Sequence, residues 1–272
     1  MVMHTLLVTF AIDVARVTIW LVLLLIVFVP LERIFAEKPY RIWRREFGLD
    51  LVWYFGNGVL TTTLLAFVTA MAAVGLSRFV PHAAASMPLW QRMLATLAVG
   101  EFGFYWGHRW SHEIPLLWRF HAIHHTAEQV DWLTNTRGHP VDIVFTRLCG
   151  FVPIYLLGLA QMDMTPHSVA VSLLMIFTNT WGFFIHANLK WRLGWLEAVI
   201  ATPAFHRWHH TADINRDHNF ASTLPIYDRL FGTLYLPTTG APPRFGVDGA
   251  VPRGFISQAL APFAPPPRHD PA

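Results

Sequence analysis

Five stretches of the chain are apolar for long enough to be read as membrane spans, each of which needs about 20 largely apolar residues. They run from about Val14 to Leu31, Leu49 to Leu76, Leu89 to Tyr105, Val141 to Leu159 and Ser168 to Ile185. The second is long enough to tilt, or to break at Gly56–Gly58. The first carries neither a basic leader nor a small-residue cleavage site, so a retained span is expected in place of a signal peptide. From about Pro237 to Ala272 the chain is rich in Pro and Gly and reads as an extended or disordered tail. No internal repeat is visible.

The polar positions between these stretches supply an orientation. Arg33, Lys38, Arg41, Arg44 and Arg45 lie between spans one and two, and only Arg78 between spans two and three. Arg109, Arg119 and Arg137 follow span three, no Lys or Arg separates spans four and five, and Lys190, Arg192 and Arg207 follow span five. Basic and poor loops alternate, as the positive-inside rule requires. The N-terminus is then outside, and the segments after spans three and five share the cytoplasmic side.

Composition agrees with a lipid-facing chain. Of the 272 residues 54% are hydrophobic and 14% charged, and the mean hydropathy is +0.39, high for a water-soluble protein. The net charge of +3 is dispersed, with no basic run carrying interleaved aromatics, so nucleic acid is not an expected partner. Cys149 stands alone, which excludes an internal disulfide and a thiolate metal site. The 15 histidines are the compositional excess.

Eight of them fall into three clusters on the cytoplasmic side. His108 and His112 form H-x-x-x-H, while His121, His124, His125 and His206, His209, His210 form two copies of H-x-x-H-H. On a helix, residues three and four apart share a face, so each H-x-x-H-H spreads three imidazoles over an arc of about 100°. Such arcs bring several ring nitrogens into one volume, which is what a metal site requires. Eight ligands exceed what one ion takes, so two metals are implied. Neutral imidazole is also a cheaper ligand near a bilayer than a carboxylate, since it has no charge to desolvate. That favours a redox pair for O2 chemistry over a closed structural zinc site, which commonly uses Cys. Only Glu113 and Glu128 lie close to the clusters as carboxylates.

These residues also carry a resemblance. His108-Arg-Trp-Ser-His112, Leu117-Trp-Arg-Phe-His121-Ala-Ile-His124-His125, Thr136-Arg-Gly-His139-Pro140 and Phe184-Ile-His186-Ala-Asn188 resemble the fatty acid hydroxylase superfamily of sterol desaturase-like enzymes. So do Thr202-Pro-Ala-Phe-His206-Arg-Trp-His209-His210, Asn219-Phe220 and Tyr227-Asp-Arg-Leu-Phe-Gly-Thr233. The resemblance covers about Leu89 to Pro237, and its cluster spacing is also similar to alkylglycerol monooxygenases. It implies a helical membrane fold, a di-iron centre, and O2-dependent hydroxylation, desaturation or ether cleavage of lipids. The eight clustered histidines match the motif positions, with His186 and His139 as further recurrent histidines. Ala221 and Tyr227 depart from the usual Gly and Trp, which bears on substrate identity more than on chemistry.

Around the clusters, His139 beside Pro140 is read as a helix cap or an additional ligand, and His218 as a lesser candidate ligand. Glu101 lies one heptad before His108, and Asn179 stands in the same relation to His186. Both are expected either to face the metal cavity, as partners of imidazole N–H groups or of substrate, or to make an interhelical hydrogen bond. Asp131, Asp213 and Asp217 are candidate imidazole orienters or solvated loop carboxylates. Asp13 and Arg16 are expected to form a local ion pair. His4, His82, His167 and His269 are read as surface residues.

The expected fold class is thus all-α: a polytopic membrane protein with about five transmembrane helices, capped by a cytoplasmic, helical, His-rich di-metal domain. Residues 1–88 form an N-terminal transmembrane region, 89–237 the catalytic region and 238–272 the Pro-rich tail. The expected activity is O2-dependent oxidation of a lipid or sterol-like substrate at two Fe ions, in the inner membrane if the cell is bacterial. No flavin, haem or nicotinamide motif is present, so electrons are expected from a separate, acidic donor protein docking on basic loops. Two rivals remain, a di-zinc membrane hydrolase and a non-catalytic metal-binding or transporting protein. The latter should line its spans with His or Asp, and apart from Glu101 the spans read as nearly bare.

Overall fold

A computed structural model describes residues 2–79, 87–160, 166–238, 240–248 and 252–264. Helices form along the apolar runs and persist through the interior Pro30 and Pro153. They are α1 (Val2–Phe35), α2 (Phe47–Gly56), α3 (Thr62–Leu76), α4 (Leu89–Glu113), α5 (Pro115–His121), α6 (Pro140–Leu156) and α7 (Pro166–His186). Shorter helices α8 (Pro203–His209), α9 (Ile226–Leu230) and α10 (Phe255–Leu260) follow. No strand occurs among the described residues, only isolated bridges between Ala36 and Leu189 and between Thr211 and Phe245. The fold is all-helical.

Local chemistry sets the helix starts around the histidines. Pro115, Pro140 and Pro203 each occupy a first helical position, where a missing N–H costs nothing. Thr202 caps α8 through Phe205 N–H at 3.3 Å, and the His139 ring caps α6 by accepting Val141 N–H at 3.1 Å. Asp131 caps the tight turn Trp132–Thr136 with a reciprocal Asp131–Thr134 capping box.

Two helical segments, Met3–Phe35 and Phe47–Leu76, are long and apolar enough to cross a bilayer. Their outer faces expose Ile19, Ile26, Phe67 and Val74 by more than 60% each, a surface suited to lipid. The other three expected spans are helices α4, α6 and α7. The expected break in span two is a five-residue π-helical stretch, Asn57–Thr61. It turns the Asn57 side chain toward the 131–138 segment, where its Nδ2 donates to the carbonyls of Thr136 at 2.9 Å and Gly138 at 3.0 Å. The Asp13–Arg16 ion pair forms, at 3.1 Å.

One core joins Val17, Leu24 and Phe28 of α1 to Tyr54, Trp132, Leu133 and Phe183, and a second packs Tyr105, Ile185, Phe205 and Phe220 under the histidines. Between α4 and α6 the packing is closer still, because Gly100, Gly103 and Gly107 face Ile154, Cys149 and Thr146. Small residues let backbones approach in this way.

The tail departs from its expectation. Residues 255–263 are helical, with α10 lying against α2: Trp53 Nε1 donates to Gln258 Oε1 at 2.9 Å and Phe255 packs edge-on to Trp53 at 4.6 Å. The Pro and Gly content concealed a short amphipathic segment with an apolar face to cover. Residues 265–272 lie outside the described residues.

A Cβ on Gly103 would sit 2.0 Å from the Cys149 carbonyl oxygen, whereas one on Gly75 would meet nothing within 4 Å. Gly103→Ala is therefore expected to cost about 1–3 kcal/mol or more through overpacking. Gly75→Ala should be neutral or stabilising by up to about 1 kcal/mol. Thermal unfolding in detergent distinguishes them, and equal melting temperatures would contradict the packing described.

Candidate metal centre

Nine imidazoles converge between the ends of α4, α5, α7 and α8, and they sort into two groups. His108, His112, His121, His125 and His209 form one; His124, His186, His206 and His210 form the other. Within each group the ligand atoms all lie within 4.8 Å of one another. All eight clustered histidines and His186 are thus brought together.

Each H-x-x-H-H motif feeds both groups, contrary to the simpler expectation of one motif per volume. The first and last rings of each motif stay together, His121 with His125 and His206 with His210. The middle rings, His124 and His209, go to the opposite group. Helical geometry accounts for this, since positions i and i+4 differ by about 40° while i+3 lies about 100° from i+4.

The ring nitrogens divide by role. Six of the nine rings place Nδ1 against a carbonyl or carboxylate oxygen, to which the N–H donates. His108 meets the Phe220 carbonyl at 2.6 Å, His124 that of Arg137 at 2.8 Å, His186 that of Gly182 at 2.7 Å and His209 that of His218 at 2.9 Å. His121 meets Asp142 Oδ2 at 2.9 Å and His112 meets Asp217 Oδ1 at 3.0 Å. These bonds fix the Nδ1–H tautomer, leaving Nε2 as a bare lone pair.

The Nε2 atoms then face one another. In the first group His121 Nε2 lies 3.2 Å from both His108 Nε2 and His125 Nε2. In the second, His186 Nε2 lies 3.1, 3.0 and 3.1 Å from Nε2 of His124, His206 and His210. Two lone pairs cannot hydrogen-bond, so these contacts repel unless something positive stands between them. The Nε2 atoms of His112 and His209 are buried without any hydrogen-bond partner. Separations near 3 Å are those of nitrogens sharing one ion at about 2.0–2.1 Å. The donor set therefore fits two metal ions.

Electrostatics point the same way. Burial first, and then repulsion from His121, pushes His108 down to about 3 and His124 to about 4. Burial, with neighbouring imidazoles second, holds His112, His125, His206, His209 and His210 well below the ordinary imidazole value. Neutral rings are the metal-binding form.

A second tier of residues, not foreseen from the sequence, holds the oxygens that hold the rings. Arg137, whose carbonyl meets His124, is itself buried: its Nε donates to Asp50 Oδ1 at 2.6 Å and its Nη1 to Glu46 at 3.2 Å. Arg44 joins this network by pairing with Asp50 and, at 2.6 Å, with Asp131. The Glu32 carboxylate accepts Trp132 N–H at 3.0 Å and Asn188 N–H at 2.7 Å, tying α1 to the end of α7 beside His186. Asp228 accepts N–H donors from Phe220 at 2.8 Å and Ala221 at 2.9 Å, and the Thr233 hydroxyl at 2.7 Å. Burial raises Asp228 to about 6, so near neutral pH it is mainly the carboxylate that these donors favour.

The remaining sequence candidates are placed differently. His139 belongs to neither group; its Nδ1 caps α6 and its Nε2 meets the Ala259 carbonyl at 3.1 Å. The His218 ring packs on Tyr235, and only its carbonyl serves the site, through His209. Glu101 touches no imidazole: Oε1 accepts the Ser222 N–H at 3.1 Å and hydroxyl at 2.8 Å, steadying the loop that carries Phe220. Asn179 is exposed on the outer side of α7, because the helix lacks a neighbour on that side there. Asp217 does orient an imidazole, whereas Asp131 and Asp213 cap turns. His4 is exposed; His82, His269 and the His167 side chain lie outside the described residues.

Comparisons with known proteins converge on one family. A fatty acid hydroxylase family model matches residues 93–233, just over half of the chain and all nine imidazoles. An ornithine lipid hydroxylase, OlsE of Rhizobium tropici, is 35% identical over 65% of this chain and 52% of its own length. Alkylglycerol monooxygenase of Homo sapiens is 35% identical over 53% of this chain and 30% of its own length. Methylsterol monooxygenase 2-2 of Arabidopsis thaliana is 27% identical over 62% of both. The match thus spans about half the length of the first of these relatives and under a third of the second. No solved structure matches the chain.

Asp142 orients His121 and also accepts the Ser111 hydroxyl at 2.9 Å. Asp142→Ala is expected to weaken metal binding at the first group by about 10–100-fold and to leave the second group's affinity unchanged. Titration against a competing chelator measures both steps; equal weakening of the two would contradict the assignment.

Proposed function

The chain belongs to the fatty acid hydroxylase family, and on that premise we propose that it is a membrane-embedded oxygenase that oxidises a C–H bond of a lipid at two iron ions. The observation that carries this reading is the division of nine interior imidazoles into two all-nitrogen groups. His108, His112, His121, His125 and His209 would hold one ion, and His124, His186, His206 and His210 the other. The carboxylates nearest the groups, Asp142 and Asp217, face Nδ1 atoms and so act as orienters. A bridging-carboxylate hydrolase would place them among the ligands instead. Cys149 packs against Gly107 at the α4–α6 crossing, away from the groups.

The overall reaction of a hydroxylase is R–H + O2 + 2 e⁻ + 2 H⁺ → R–OH + H2O, and bound iron supplies the O2-activating redox chemistry. The protein's own part is positioning and exclusion of water. The Phe220, Arg137, Gly182 and His218 carbonyls hold four rings at fixed angles. Tyr105, Phe205 and Phe220, each 1% exposed or less, form an apolar wall beneath them that keeps solvent from the reacting carbon.

In the membrane, α4, α6 and α7 would supply spans three to five beside the two apolar segments of α1 and α2–α3. With the N-terminus outside, both imidazole groups then lie at the cytoplasmic face, and the lipid enters laterally from the bilayer. Residues 1–88 serve as the membrane anchor, 89–237 as the catalytic region and 238–272 as the tail, of which α10 braces α2. The two electrons come from a separate acidic donor protein. Hydroxylation, desaturation and ether cleavage all start from the same hydrogen removal, and the substrate's geometry chooses among them.

Protein purified without added metal is expected to hold two iron ions per chain. Lipid oxidation should require both O2 and reductant, and should fall by about 100-fold or more when zinc replaces iron. Zinc-supported turnover of a lipid in the absence of O2 would overturn the oxygenase reading in favour of a hydrolase.

A further inference from the structure

Arg147 is a charge inside span four that neither the fold nor the metal centre uses. It stands two turns into α6, in the apolar run Val-Asp-Ile-Val-Phe-Thr-Arg-Leu. Other charged residues in the helices of this region have partners: Arg92 donates to the carbonyls of Leu159 at 2.8 Å and Gly158 at 3.3 Å, and Asp142 serves His121. Among the described residues Arg147 makes no hydrogen bond and no ion pair, and its side chain is exposed. A cation at this depth is costly, and such residues mark substrate paths by default.

Its position relates it to the metal centre. The guanidinium carbon lies 5.9 Å from the centre of the Phe104 ring, and that ring lies 5.5 Å from the His108 ring. One aromatic ring therefore separates the cation from a first-group imidazole. Phe104, Glu101 and His108 share one face of α4, three and four residues apart. Along α6, Arg147 is five residues past Asp142, or about 7.5 Å deeper. Glu101 is close enough for its charge to reach Arg147, but its Oε1 is engaged by Ser222, and the two form no ion pair. Its five N–H donors thus lie one ring from the centre with no acceptor among the described residues.

Resting on the reading of the site as a lipid oxygenase, we propose that Arg147 binds the phosphate or carboxylate of an anionic lipid whose oxidised carbon lies near that polar group. A guanidinium offers a planar fork matched to such oxyanions. Anchoring the polar end one ring away from His108 directs oxidation to carbons a few bonds from it, and away from the middle of an acyl chain. An anionic amphiphile is therefore the substrate class, and Arg147 its specificity-determining residue.

The test is equilibrium binding of dodecyl phosphate, dodecanol and inorganic phosphate to the full chain in nonionic detergent, read by native mass spectrometry, which also counts bound metal. Wild type and Arg147→Lys are expected to favour dodecyl phosphate over dodecanol by about tenfold or more. Arg147→Gln should bind the two within about twofold, with metal content and melting temperature unchanged. Inorganic phosphate should not displace dodecyl phosphate at equal concentration. Survival of the preference in Arg147→Gln would overturn the proposal, as would displacement by inorganic phosphate, which would mean a free-anion site. Metal content separates the two layers: a chain lacking metal but losing its preference with Arg147→Gln contradicts the metal centre alone.

Discussion

Nine imidazoles, six of them with Nδ1 committed to an oxygen acceptor, turn Nε2 atoms toward one another at separations of 3.0–3.2 Å in the protein interior. That arrangement is repulsive by itself, and a cation at the focus of each group would compensate it. Burial makes the alternative of protonating the rings expensive. The rest of the structure is arranged around keeping those lone pairs in place, because an imidazole free to rotate could relieve the repulsion by turning away. Hence six of the nine rings are held from behind, and several of the groups that hold them are held in turn.

The supports form a chain of decreasing locality. Carbonyls of Phe220, Arg137, Gly182 and His218 touch the rings directly. Behind them stand buried acidic and basic groups, Asp228 under Phe220 and Asp50, Arg44 and Asp131 around Arg137, with the half-buried Glu46 beside them. Glu32 of α1 reaches the turn after Asp131 and the residues after His186. Burying an ion pair gains little stability against an apolar replacement, while removing one partner is costly. A network of this kind serves positional definition more than stability. It also explains why the two most apolar segments, which supply no ligand, matter to the centre: Glu32, Asp50 and Asn57 are their contribution.

Much of this was legible in the sequence, for physical reasons. A ligand set needs many identical side chains at helical spacing, and eight of the nine stood out as clusters; His186 followed from its place at the end of an apolar run. The helix start at Pro140 and the choice between a tilt and a break at Gly56–Gly58 were equally readable. The exchange of His124 and His209 between groups was not, because an arc of about 100° is compatible with one ion or two. The supports were illegible too, since carbonyl acceptors leave no mark in side-chain identity and Arg44, Asp50 and Arg137 meet across long stretches of chain. Glu101 and Asn179 shared the reason for their misplacement. Helical phase gives a direction, but whether that direction is inward depends on neighbours: Ser222 intercepts Glu101, and Asn179 is left exposed among the described residues.

The central claim is that each group of imidazoles holds its own ion. An anomalous difference map measured at the absorption edge of the bound metal tests it most directly. Two peaks are predicted, one amid the Nε2 atoms of His108, His112, His121, His125 and His209, the other amid those of His124, His186, His206 and His210. A single peak, or density away from these nitrogens in fully loaded protein, would contradict the account.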